Sequence, residues 1–172
     1  MILEILTHTP IWVFVLFAII VSMGAKRLSD GERDVRRVCL VPILFILFGL
    51  LRLSNQEDSG SISAWLVAAG AGLVIGSLAR PVMRNLAGNF RVLLAGSAWP
   101  LVRIVVIFVA HYSLTVAAVL SFDHRVAFMR LDAAVSGMAA GYFAGWLWRF
   151  VQAYRVAKAT PAAATGMTAA AR

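Results

Sequence analysis

Few residues of this chain are placed to do chemistry. The most conspicuous is His111, in the middle of the apolar run VIFVAHYSLTVA, residues 106–117. An ionisable group there is costly and usually faces a bundle interior or a cavity. Three roles follow from its type and place. It can bond a hydroxyl or carbonyl of another segment, handle a proton or substrate, or ligate haem or a metal. An enclosed imidazole is expected to be neutral at pH 7 unless an acid is near. Thr115, at i+4, shares its helical face, and Tyr112 and Ser113 are neighbours in sequence. Haem between helices usually takes two axial ligands at matching depth. His8 and His124 belong near a surface, so a bis-histidine site has little support.

A second group is Glu4, His8, Asp123, His124 and Asp132. Imidazole and carboxylate ligands together suit zinc or a similar ion, but the spacing matches no established metal motif. Loops normally carry such charges solvated. Neither a cofactor nor a metal is therefore assigned. The chain has no GxxxxGK[ST] loop, HExxH, GxSxG or CxxC. Its one cysteine, Cys39, excludes an intramolecular disulfide and opens an apolar run, where an inert thiol is the default.

The elements that must position these residues are read from composition and periodicity. Of 172 residues, 61% are hydrophobic, and the mean hydropathy is +0.84. A soluble domain has about 45–50% apolar residues. The excess falls in long runs, which predicts an all-α integral membrane bundle of about five helices. The expected spans are 8–25, 38–53, 62–79, 100–121 and 133–152. Thr9 and Pro10 can start the first. Pro42 is expected in the first turn of the second, where amides lack partners anyway, and Arg52 can snorkel from its end. Residues 81–98 read as a cytoplasmic connection with a turn at 87–89 and an extended piece over 90–94. The Ala-rich tail, 157–172, reads as disordered. MILEILTHTP has no basic residue and carries Glu4, so it does not read as a cleaved leader. Trp12, Trp65, Trp99, Trp146 and Trp148 stand near segment ends, as interfacial anchors do.

The net charge of +8 fits this picture without a nucleic-acid partner. With five spans, one side collects Lys26, Arg27, Arg33, Arg36, Arg37, Arg80, Arg84, Arg91, Arg103, Arg149, Arg155, Lys158 and Arg172. The other side holds only Arg52, Arg125 and Arg130. The bias predicts N-terminus out and C-terminus in. The group containing Glu4 and His8 then lies outside, with Asp132 at the mouth of the fifth span and no carboxylate within any span.

Small residues recur every four positions: Ala68, Gly72 and Gly76 in the third span, and Ala133, Gly137, Gly141 and Gly145 in the fifth. Such stripes let helix backbones approach closely in lipid. They fit packing of these spans within one chain, or a seam between copies.

Two stretches carry a family resemblance: MILEILTHTPIWVFVLF at the start, and RVLLAGSAWPLVRIVVIFVAHYSLTVA over 91–117. GYFAGWLWRF, 141–150, fits as well. The chain resembles, over most of 1–156, a family of small multi-span inner-membrane proteins of Gram-negative bacteria that is known only as a domain of unknown function. It departs from that pattern at Ala95, in place of a turn proline, and at Trp99, one place late. His111 stands where the family favours lysine. The resemblance implies location and fold, and a basic group of either kind at 111, which weakens a metal-ligand role. It implies no activity.

Three functions are compatible with these residues. The first is a non-enzymatic protein acting through helix packing, as a homo-oligomer or a subunit of a membrane complex, in contact with membrane lipids. The second is a small transporter or channel whose polar pathway passes His111, discriminated by a cavity reaching that residue. The third is a membrane enzyme using the outer-face His and Asp groups.

Overall fold

The computed structural model describes residue 22 and residues 31–79, 83–86, 91–94 and 96–159. In chain order these form β1 (Gly31–Asp34), α1 (Val35–Ser54), α2 (Ser59–Leu78), β2 (Met83–Leu86), β3 (Arg91–Leu94), α3 (Trp99–Leu120), a 3-10 turn (Phe122–His124) and α4 (Arg125–Ala159). The expected span 8–25 apart from residue 22, Glu4, His8, the turn at 87–89 and most of the tail lie outside the described residues.

The caps follow from local chemistry. Asp34 precedes α1 and accepts from the Arg36 amide at 2.9 Å. Asp58 does the same for α2, accepting from the amide of Ser61 at 2.9 Å and its hydroxyl at 3.0 Å. Pro100 occupies the first turn of α3, where a missing N–H costs nothing. Pro42 differs from expectation. Because α1 begins at Val35, the proline lies inside the helix, where it cannot donate to the preceding turn.

Helices α1, α2 and α3 are each long and apolar enough to cross a membrane, with 20, 20 and 22 residues. Much of their apolar surface points outward: Phe48 is 65% exposed, Val67 76% and Val106 59%. An apolar exterior of this extent is what lipid contact requires. α4 is different. Its 35 residues reach about 52 Å, well beyond a ~30 Å hydrocarbon core. It packs against all three other helices, most extensively against α2. A helix enclosed by its neighbours need not be strongly apolar. This explains why the expected span 133–152, which lies within α4, is rich in small residues.

The chain is mostly helical but not wholly so, which corrects the all-α expectation. β1, β3 and β2 form an antiparallel sheet in that order, pairing Gly31 with Leu94 and Asp34 with Arg91. β2 pairs with β3 through a bulge between Met83 and Asn85. The extended piece expected near 90–94 is β3. Its partner β1 comes from the KRLSDGERDVRR stretch about sixty residues earlier, a distance no local pattern reveals. Val92, in β3, is fully buried with Val38 and Phe150, so the sheet closes one end of the helices.

The two glycine stripes meet inside the chain. A Cβ on Gly72 would come within 2.8 Å of the Tyr142 amide nitrogen, and one on Gly76 within 3.0 Å of that of Trp146. Reciprocally, a Cβ on Gly141 would lie 2.7 Å from the Ala69 carbonyl carbon, and one on Gly145 2.7 Å from the Ser77 nitrogen. Gly137 rests on Trp65 in the same way, and Ala133 is fully buried beside that ring. On α2 the partner of Gly141 is Ala69, next to the half-buried Ala68. These surfaces are taken up by α2–α4 packing within the chain.

Candidate functional site

The turn Phe122–His124 folds α4 back along α3, and the short link after Ser54 reverses the chain between α1 and α2, both of which pack on α4. The C-terminal ends of α1 and α3 therefore meet the N-terminal end of α4. Asp132 lies about 10 Å along α4 from its start. Its residue is only 4% exposed. The sequence expects it at the mouth of a span; in the structure its side chain is turned into the bundle.

Two bases converge on this carboxylate. Arg52 of α1 donates through Nη2 to Asp132 Oδ2. His111 of α3 places Nδ1 at 2.5 Å from Asp132 Oδ1. The partner of His111 is thus an acid, and not the expected hydroxyl or carbonyl. With Nδ1–H directed at the carboxylate, Nε2 is the ring atom left to accept or pass a proton. Thr115 stays on the same helix and donates to the His111 carbonyl at 2.8 Å. Tyr112 stacks on Phe108, with ring centroids 6.5 Å apart. Ser113 is exposed.

Arg52 and His111 face a cavity of about 590 Å³ between α1, α3 and α4. That is within the range of small-molecule sites, about 300–1,000 Å³. Asn55, Gln56 and Thr115 lie at its polar end, and Phe45, Phe48, Leu51 and Ala139 form its apolar part. From Asn55 to Phe45 is about 15 Å along α1, half the depth of a hydrocarbon core. Below it, Phe45 stacks on Phe143 at 4.5 Å and Gly49 sits against Ala140, which closes the α1–α4 seam. Toward the other end of α3, Arg103 lies 4.5 Å above the Tyr142 ring.

A second ion pair stands at the same end of the bundle. Arg130 donates from Nε to Asp58 Oδ2 at 3.0 Å and from Nη2 to Oδ1 at 3.3 Å. Gly60 leaves room for this guanidinium: a Cβ there would fall 2.6 Å from its central carbon. The Arg130 hydrogen bonds, and then the Ser61 hydroxyl, hold the Asp58 carboxyl well below the usual carboxylate range. Arg130 is raised in turn by Asp58.

The proposed outer-face group is therefore divided. Asp123 and His124 are exposed in the turn, Asp132 is enclosed, and Glu4 and His8 lie outside the described residues. Among the described residues, no cluster of three His, Cys, Asp or Glu side chains is placed to hold a metal ion.

Sequence alone gives Arg52 a snorkelling place on the side poor in basic residues and does not distinguish Ser136, Asn55 or Gln56. The available signal was that Arg52 and Asp132 both flank expected spans on the side poor in basic residues. An opposite pair at matching depth is a reason to test for contact.

Neither a curated protein nor a solved structure matches the chain. In line with the resemblance carried by residues 1–17, 91–117 and 141–150, the chain belongs to the Family of unknown function (DUF6622), whose family model matches residues 1–164.

Proposed function

We propose that this is a five-span carrier of the bacterial inner membrane, N-terminus out and C-terminus cytoplasmic, and not an enzyme. It takes an anion from the outer side into the groove at Arg52, Asp132 and His111. The observation that carries this reading is the cavity that reaches both bases while their shared carboxylate is covered. The Arg52 side chain is 47% exposed and that of His111 29%, against 5% for Asp132. A solute in the groove meets donors and positive charge.

One carboxylate balances one cation. With His111 neutral, Asp132 neutralises Arg52. With His111 protonated, two cations share a single carboxylate, and a net charge of +1 faces the groove. In a medium of low dielectric this charge is costly unless an anion enters with the proton. The arrangement couples uptake of an anion to uptake of a proton. The leading sequence-based reading, a helix-packing protein, rested on the glycine stripes, which here pack against each other.

Orientation and access are tested together in a Cys39→Ser background. Thr115→Cys lies in the groove, and Val106→Cys lies on an exposed apolar part of the same helix. A membrane-impermeant maleimide added to spheroplasts is expected to label position 115 and to spare position 106, since the reaction needs a hydrated thiolate. Position 115 labelled only from the cytoplasmic side, or not at all, overturns the reading.

A further inference from the structure

The groove is amphipathic along its length, which narrows the kind of anion it takes. This inference rests on the anion-binding reading above. Arg52, Asn55 and Gln56 are within one turn of each other at the end of α1, and His111 and Thr115 face them from α3. Deeper in, the lining changes to Phe45, Phe48 and Ala139. A free inorganic anion would use only the first part and would leave the aromatic part hydrated at a cost. A plain hydrocarbon would use only the second and would leave the guanidinium unsolvated. The two parts are satisfied together by a molecule with an anionic head and an apolar tail.

We infer that the ligand of the groove is an anionic amphiphile drawn from the bilayer, its headgroup at Arg52 and His111 and one hydrocarbon chain along Phe45 and Phe48. Charge complementarity selects the sign of the head. The exposed members of the triad are the two bases, and the carboxylate that would repel an anion is the covered one. The length selects a chain: from the headgroup position at Arg52 to Phe45 is about 10 Å of groove, which accepts a tail, and its end at mid-depth suits a lipid lying in one leaflet. Helix α3 forms one wall. Among the described residues none of its side chains is fully buried.

The test uses the full chain in a non-ionic detergent and three probes. Decanesulfonate carries a permanent anionic head and a tail, methanesulfonate the head alone, and decyl sulfobetaine a zwitterionic head on the same tail. Titration calorimetry is expected to show saturable binding of decanesulfonate, with both other probes at least about tenfold weaker. Methanesulfonate binding as tightly as decanesulfonate would mean a free-anion site; it overturns the amphiphile and leaves the anion carrier standing. Equal binding of the sulfobetaine overturns the anionic head and, with it, the anion carrier. No binding of any probe, with position 115 still labelled from outside, overturns this inference alone.

Bilayer origin is read from nanodiscs. Those of phosphatidylglycerol are expected to suppress decanesulfonate binding, and those of phosphatidylcholine are not. Equal binding in the two overturns the lipid source. Arg52→Gln is expected to weaken decanesulfonate about tenfold or more. Because it strands Asp132, Thr115→Phe serves as the second variant. Its side chain is exposed and bonds only its own helix, so the protein should fold with the groove filled. Undiminished binding in a folded Thr115→Phe protein overturns the placement.

Discussion

His111 Nδ1 lies 2.5 Å from Asp132 Oδ1, and the same carboxylate receives Arg52 through its other oxygen. Three helices are thereby tied at one point. Two of them, α1 and α3, make their principal helix contacts with α4 rather than with each other. Asp132 is thus both the structural junction of the groove walls and the charge that sets what the groove attracts.

Removing this junction should be costly. Asp132→Ala removes both charge-assisted hydrogen bonds at once, each worth about 1.5–3 kcal/mol. His111→Ala leaves Arg52 in place to balance Asp132 and should cost less, about 1–3 kcal/mol. Thermal unfolding in detergent should rank the two in that order. Hydrogen exchange should then speed up in α3 more than in α2. An Asp132→Ala protein as stable as the wild type would mean that the junction contributes nothing.

The pairing of the glycine stripes predicts a sharp positional contrast. At Gly141 and Gly72 an added methyl meets backbone atoms, which cannot turn aside. Alanine there should separate α2 from α4 and cost about 1–3 kcal/mol, as overpacking does. At Gly70 nothing lies within 4 Å of the corresponding point, and alanine should be neutral or gain up to about 1 kcal/mol of helix propensity. Equal thermal shifts for Gly70→Ala and Gly141→Ala would contradict the α2–α4 register.

The Asp58–Arg130 pair gives an acid limb to stability. The folded-state acidity of Asp58 is depressed, so its contribution is fully present above its unfolded value, about 3.9. It is lost as pH falls from there through the folded value. Asp58→Asn keeps a capping oxygen for α2 and removes the charge. The variant should melt below the wild type at pH 7, and the two curves should draw together as the buffer is taken below about pH 4. A gap that stays constant down to pH 2 would assign the effect to capping alone.

Coupling of anion and proton predicts a pH-dependent affinity. Decanesulfonate keeps its charge throughout, so any change between pH 8 and pH 5 belongs to the protein. Its binding should tighten as pH falls, with proton uptake visible as a buffer-dependent heat. His111→Gln should flatten that response while retaining a weaker site at Arg52. A His111→Gln protein with the full pH response would remove His111 from the coupling.

Much of the fold was legible in local patterns. Apolar runs placed α1, α2 and α3 to within a few residues, because the cost of exposing apolar groups is read over a window of neighbours. The caps at Asp34 and Asp58, and the small residues of α2 and α4, are equally local features. The site was half legible. A histidine within an apolar run demanded a partner, and that demand is local. Which partner met it was not, since Asp132 lies 21 residues away and Arg52 80 residues from Asp132.

The same holds for β1 and β3, whose pairing joins segments that share no periodicity. Helix order, and the angle at which each helix presents its face to α4, brought Arg52, His111 and Asp132 to one depth. Those angles are set by close packing at Gly137, Gly141 and Gly145 on one side and Gly49 on another. Composition and periodicity act along the chain and set what each segment is. Contacts between charges act across it and depend on a packing that no single segment contains.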